Sequence, residues 1–265
     1  MMERERERME GTRLLPVHQI NIDDVPDLAN IFDLFDSQCR YPTNAEKFKL
    51  NLAGVRNAKR IGEMREDCER VPDRKKYRAI EIERKRNQKK EKKRSQMKEG
   101  MHVQPCDADH FRMSIVLSRE KRETYEKRME ELRKRYDARY WLPRGHYFYP
   151  SNRGFCSWHT NEYDTPGWRL YFIKVSSRED ETRTPTNKKE SSSFTYLEPR
   201  TGKRIRVWDK NRTAMLFKIP SREDALPPLW HNVHSGSYDR WSFGFALDEA
   251  LAIGILNEAI KNASS

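Results

Sequence analysis

All six tryptophans, Trp141, Trp158, Trp168, Trp208, Trp230 and Trp241, lie after residue 140. Large aromatic side chains dominate core energetics, so the packed, ligand-sized interior is expected in the second half of the chain. The first half has a different character. Residues 73–99 hold 13 Lys or Arg against 5 Asp or Glu, a net +8 out of the +12 of the whole chain. With 35% hydrophobic and 35% charged residues over 265 positions, part of the length is not expected to join any core. The asymmetry predicts a charged, mostly helical region over 1–140 and a strand-rich domain over 141–265.

A concentrated basic run attracts polyanions by releasing their counterions. Nucleic acid is therefore the first candidate partner for residues 73–99, and an acidic protein surface the second. Lys89-Lys90-Glu91-Lys92-Lys93-Arg94 also reads as a nuclear import signal, which leaves nucleus and cytoplasm both open. Cys39, Cys68, Cys106 and Cys156 form no C-x-x-C pair, so neither a zinc site nor a disulfide framework is indicated and an intracellular, reducing compartment is expected. Met1 to Arg8 alternates in charge, and no run approaches the roughly 20 apolar residues that span a bilayer, so no membrane partner is expected. No Gly-rich phosphate loop, Ser-His-Asp order or nucleophile elbow is present.

Along the chain, Leu14 to Ile22 reads as a strand or an extended anchor. Leu28, Ile31, Phe32, Leu34 and Phe35 recur at helical spacing. A helix is expected over 45–70, and the basic segment that follows is expected as a long solvated helix. Ser118 reads as the N-cap of a charged helix running to Tyr140. Short strands are expected at 146–149, 155–159, 169–175, 194–198, 204–208, 214–219, 229–235 and 240–247, with a polar excursion over 176–193 and a closing helix over 248–262 that buries Leu251, Ile255 and Ala259. Eight such strands favour a jelly roll, giving an α+β chain with a helical, basic N-terminal region.

One segment carries chemistry. Pro228 to Phe245 reads as strand, turn, strand, with Gly236 and Asp239 bracketing Ser237-Tyr238. If the two strands pair as a hairpin, Val233 faces Ser242 and His231 faces Gly244, and alternation puts His231, Val233, Arg240 and Ser242 on one face. An imidazole, a guanidinium and a hydroxyl sharing a face can serve a metal ion plus a dicarboxylate. Trp230, Trp241, Phe243 and Phe245 fall on the other face. Arg169 and Tyr171 share a face of a neighbouring strand, where Tyr171 either lines the same cavity or packs the core. Upstream, Gly154-Phe155-Cys156-Ser157-Trp158-His159-Thr160-Asn161 places a second histidine at a strand end.

These two segments resemble the iron(II) and 2-oxoglutarate-dependent oxygenases, which carry His-x-Asp on a proximal strand and, distally, a His followed by Arg-x-Ser. The resemblance covers roughly Trp141 to Leu247 and implies a double-stranded β-helix. It implies His159 and His231 as iron ligands, with Asn161 at the position the family usually fills with Asp, and Arg240 and Ser242 as the clamp for 2-oxoglutarate. Asn161 departs from the pattern: it ligates through its amide, or Glu162 or Asp164 supplies the carboxylate, or the site is degenerate. The function implied is a dioxygenase hydroxylating a protein or nucleic-acid substrate. The alternative is a non-catalytic jelly-roll subunit of a large assembly, such as a ribonucleoprotein, virion or cytoskeletal lattice, docking through its basic helices.

Overall fold

The strands expected after residue 140 form, and they lie in two antiparallel sheets. The computed structural model describes residues 16–41, 108–113, 115, 117–161, 166–177, 185, 190–221 and 227–263, with residues 66, 70–75, 77–79, 82, 83 and 86. Most of the helix expected over 45–70, most of the basic segment 73–99, most of the excursion over 176–193, and Cys68, Cys106, Glu162 and Asp164 lie outside the described residues.

The strands are β1 (Val17–Asn21), β2 (Ala108–Asp109), β3 (Phe111–Met113), β4 (Trp141–Tyr149), β5 (Phe155–His159), β6 (Gly167–Ser176), β7 (Ser193–Leu197), β8 (Arg204–Trp208), β9 (Thr213–Ile219), β10 (His231–His234) and β11 (Asp239–Leu247). A six-stranded sheet runs β1-β9-β6-β11-β4-β3 and a five-stranded sheet β2-β5-β10-β7-β8. From β4 onward the chain crosses between the sheets repeatedly, with β4, β6, β9 and β11 in one and β5, β7, β8 and β10 in the other, which is jelly-roll order. Residues before 140 complete both sheets: β1 extends the larger at β9, β3 at β4, and β2 extends the smaller at β5.

Three α-helices have both ends among the described residues. Helix α1 (Pro26–Asp36) starts on a proline at its first position, where the missing N–H costs nothing. Its Phe35 meets Phe243 at 5.2 Å and Phe245 at 5.4 Å, on the outer face of the larger sheet. Helix α2 (Arg119–Arg135) is capped by Ser118, whose hydroxyl accepts from the Lys121 amide at 3.3 Å. It buries only Met129 and Leu132 and ends before the expected Tyr140, where Asp137 turns into the left-handed region at φ 50°. Helix α3 (Glu249–Asn262), capped by Asp248, buries Leu251, Ile255 and Ala259 as its spacing predicts. All three helices contribute to one cluster on the outer face of the larger sheet, and a second cluster fills the space between the sheets.

The expected pairing of residues 229–235 with 240–247 does not form. Strand β10 pairs with β5 and β7 in the smaller sheet, whereas β11 pairs with β4 and β6 in the larger. Residues 235–238 cross from one sheet to the other instead of closing a hairpin. Ser235 donates its hydroxyl to the Pro150 carbonyl at 2.6 Å and its amide to the Gly154 carbonyl at 2.8 Å. A Cβ on Gly236 would stand 2.1 Å from the Glu190 carbonyl oxygen, so only glycine passes. Gly244 lies opposite Tyr171 and Gly145, not His231, and a Cβ there would strike the Tyr171 ring at 2.4 Å.

Candidate metal and carboxylate site

Because the inner faces of the two sheets look at each other, a crossover delivers the same convergence that a hairpin would have given. A cavity of about 90 Å³ between the sheets is lined by His159, Asn161 and His231 from the smaller-sheet side and by Arg240 and Ser242 from β11. All five residues singled out from the sequence therefore meet in one space. Tyr147, Tyr149 and Tyr171 add three phenols and Cys156 a thiol to the same wall.

The histidines are held in matching ways. His231 opens β10 opposite His159, the last residue of β5, and the ring centroids are 4.2 Å apart. The His159 Nδ1–H donates to the Ser157 carbonyl at 2.7 Å, and the His231 Nδ1–H donates to the Leu229 carbonyl at 2.9 Å. A carbonyl can only accept, so each Nδ1 carries a proton, and in a neutral ring so held the lone pair is left on Nε2. Carbonyl partners of this kind orient imidazoles that bind metals. Burial, and then the neighbouring His159 ring, hold the His231 imidazole well below its ordinary 6.5, so it stays neutral at physiological pH.

That depression has a consequence for the protein alone. A histidine that protonates more readily when unfolded contributes stability above about pH 6.5, and the contribution is lost as pH falls from there toward the depressed folded value. The melting temperature of the metal-free protein is expected to drop as pH is lowered below about 6.5, and His231→Gln should flatten that slope. An unchanged slope in the variant would assign the acid sensitivity to other groups.

Asn161 lies two residues past β5 with φ 57°, a left-handed conformation that asparagine tolerates. Its Nδ2 lies 3.3 Å from His231 Nε2, and since Nδ1 holds the ring proton, the amide donates to that lone pair. Among the described residues no three His, Cys, Asp or Glu side chains converge so as to hold a metal ion. The donor chemistry fits a divalent ion on two sides, through two imidazole nitrogens, with a neutral amide at the third. A half-turn of that amide would present Oδ1 in place of Nδ2.

Arg240 enters from the opposite sheet and is fixed by a partner that the sequence reading did not single out. Its Nε donates to Asp209 Oδ2 at 2.8 Å, with 3% and 0% of the two side chains exposed. Asp209 follows β8, and the same oxygen accepts the Ser192 hydroxyl at 2.6 Å. The Arg240 guanidinium lies 5.1 Å over the Tyr149 ring, and burial pushes that phenol well above its ordinary value. Nε is engaged by Asp209, and Arg240 and Ser242, two residues apart on β11, both line the cavity. The signal that could have found Asp209 is general: an arginine in a strand interior needs a buried carboxylate. Tyr171 lines the cavity and stacks on Phe217 at 5.8 Å, so it both lines the space and packs the core. Arg169 is buried on the same strand and adds its positive charge to the field at His231.

No family model matches this chain, and no curated protein does. Among solved structures, the chain is similar to the crystal structure of a Pseudomonas putida prolyl-4-hydroxylase, at a TM-score of 0.38 and 12% sequence identity, covering 71% of this chain and 98% of that one. At that distance the likeness does not say which side chains act. No described helix is long and apolar enough to cross a membrane.

Proposed function

We propose that the cavity between the sheets is the site of an iron(II) and 2-oxoglutarate-dependent oxygenase, with His159 and His231 as metal ligands, Asn161 at the third position, and Arg240 with Ser242 receiving a carboxylate of 2-oxoglutarate. The observation that carries this reading is the convergence of two Nδ1-anchored imidazoles and a buried arginine on one cavity from opposite sheets. The chemistry the ion supplies when bound is activation of dioxygen coupled to oxidative decarboxylation of the 2-oxo acid.

The chain's own part is orientation. The carbonyls of Ser157 and Leu229 fix the imidazole tautomers, and Asp209 fixes the plane of the Arg240 fork. The apolar walls of Phe194, Met215, Phe217 and Val233 exclude water, which strengthens every charge interaction inside. Arg240→Lys keeps the charge but not the fork, so 2-oxoglutarate affinity measured by calorimetry should fall roughly ten- to hundredfold while the fold persists. Unchanged affinity would remove Arg240 from the carboxylate site.

The contact from Asn161 to His231 favours a second reading. An amide that already satisfies the lone pair of one would-be ligand suits a pocket that binds a small carboxylate without a metal, the degenerate jelly-roll subunit. Under that reading 2-oxoglutarate binds equally well with and without iron(II).

A further inference from the structure

Trp158 and Trp230 each precede a cavity histidine by one residue, so alternation turns them to the outer face of the smaller sheet. There they form a small cluster with Leu197 that Tyr77, from the start of the basic segment, covers; the Tyr77 ring meets Trp230 at 6.4 Å. The Trp158 indole N–H donates to the Arg70 carbonyl at 3.2 Å. The basic segment, expected as a solvated helix, thus starts out seated on the sheet that carries the histidines.

This seating places Arg74, Lys75 and Arg78, all exposed, around a cleft of about 250 Å³ whose floor includes Pro199, Pro228 and Trp230. The charge continues along β8, an edge strand of the smaller sheet. Ile205 and Val207 pack on the cluster between the sheets, so Arg204, Arg206 and Trp208 share the outer face, with Arg204 opposite Leu197. The Arg206 guanidinium lies 5.1 Å over the half-buried Trp208 ring. Glu198, beside this face, accepts from the backbone amides of Arg200 and Thr201.

We infer that the cleft and the outer face of β8 form one binding surface for single-stranded nucleic acid, the cations tracking phosphates and Trp208 offering a ring on which a base stacks. Cations interleaved with an aromatic ring distinguish this surface from a merely solvated edge, whose arginines would serve to prevent strand addition. They also favour nucleic acid over an acidic protein, which has no use for a half-buried ring among the cations. Three of the five cations, Arg74, Lys75 and Arg78, belong to the run of residues 73–99 that carries +8, and Arg204 and Arg206 add to them from β8. The inference is independent of the oxygenase reading, because it rests on the opposite face of the sheet.

The test uses the full chain and fluorescein-labelled oligouridine and oligothymidine 15-mers, read by fluorescence anisotropy from 50 to 200 mM salt. Five phosphate contacts predict a log–log slope of at least about −3.5, roughly a hundredfold loss over that range. Arg204→Glu with Arg206→Glu should weaken binding at least about tenfold and lessen the slope by about 1.4. Trp208→Ala should weaken it roughly tenfold or more with the slope unchanged. Arg204→Gln with Arg206→Gln, which introduces no new charge, should lose the same slope increment, and circular dichroism confirms that each variant is folded. Folded variants that bind like the parent, binding of polyglutamate as tight as that of the oligonucleotides, or no salt-dependent binding would each overturn the inference.

Discussion

Arg240→Ala is expected to destabilise the fold by about 3–5 kcal/mol, because it leaves the Asp209 carboxylate buried without its cation. For a chain of this size the loss amounts to a fall in melting temperature on the order of 10 °C. Asp209→Asn should cost a similar amount for the converse reason, stranding the guanidinium. A buried pair is not worth that much in itself, since both ions were dehydrated to form it, so Arg240→Met combined with Asp209→Leu should recover most of the stability while abolishing carboxylate binding. Differential scanning calorimetry of the four proteins checks the pattern. Arg119, 94% exposed in its pair with Glu123, is the control: Arg119→Ala should change stability by less than about 1 kcal/mol. If Arg240→Ala behaves like Arg119→Ala, the guanidinium is not held as described.

The second large effect concerns the metal. His231→Ala removes one of two imidazole donors, and with only His159 and an amide left the protein should retain no iron(II) after desalting. His234, half-buried at the other end of β10, does not line the cavity, and His234→Ala should leave retention intact. Asn161→Asp should act in the opposite direction. It places a negative oxygen where an amide now donates to His231 Nε2, and even at a screened effective dielectric a unit charge near a divalent cation strengthens binding by roughly tenfold or more. Anaerobic titration with iron(II) reads both changes. Weaker binding in Asn161→Asp would mean that residue 161 turns away from the ion.

Local signals made much of this legible in the sequence. Ser118 and Asp248 are helix caps with one physical role, and both helices start where those residues stand. Period-two alternation put His231, Val233, Arg240 and Ser242 on one cavity, and Trp241, Phe243 and Phe245 behind it under α1. Alternation fixes which way a side chain points within its strand but not which sheet the strand joins. Gly236 and the residues around it read equally as a tight turn and as a crossover, and contacts with Pro150, Gly154 and Glu190, distant in sequence, decide between them. The same limit hid Asp209, which sits in a loop 31 residues before its partner with nothing local to mark it. Likewise, the β1, β2 and β3 contributions to the two sheets depend on pairing with strands far along the chain, whereas charge and composition place those residues in the N-terminal region.

Conversion of 2-oxoglutarate to succinate by protein loaded anaerobically with iron(II) and then exposed to oxygen tests the central claim most directly. The site described here predicts succinate from the parent chain, none from His231→Ala, and sharply less from Arg240→Lys at limiting 2-oxoglutarate. Absence of succinate from the parent at saturating iron(II) and 2-oxoglutarate, with the 2-oxo acid still bound at Arg240, would contradict it and leave the cavity as a carboxylate pocket without a catalytic metal.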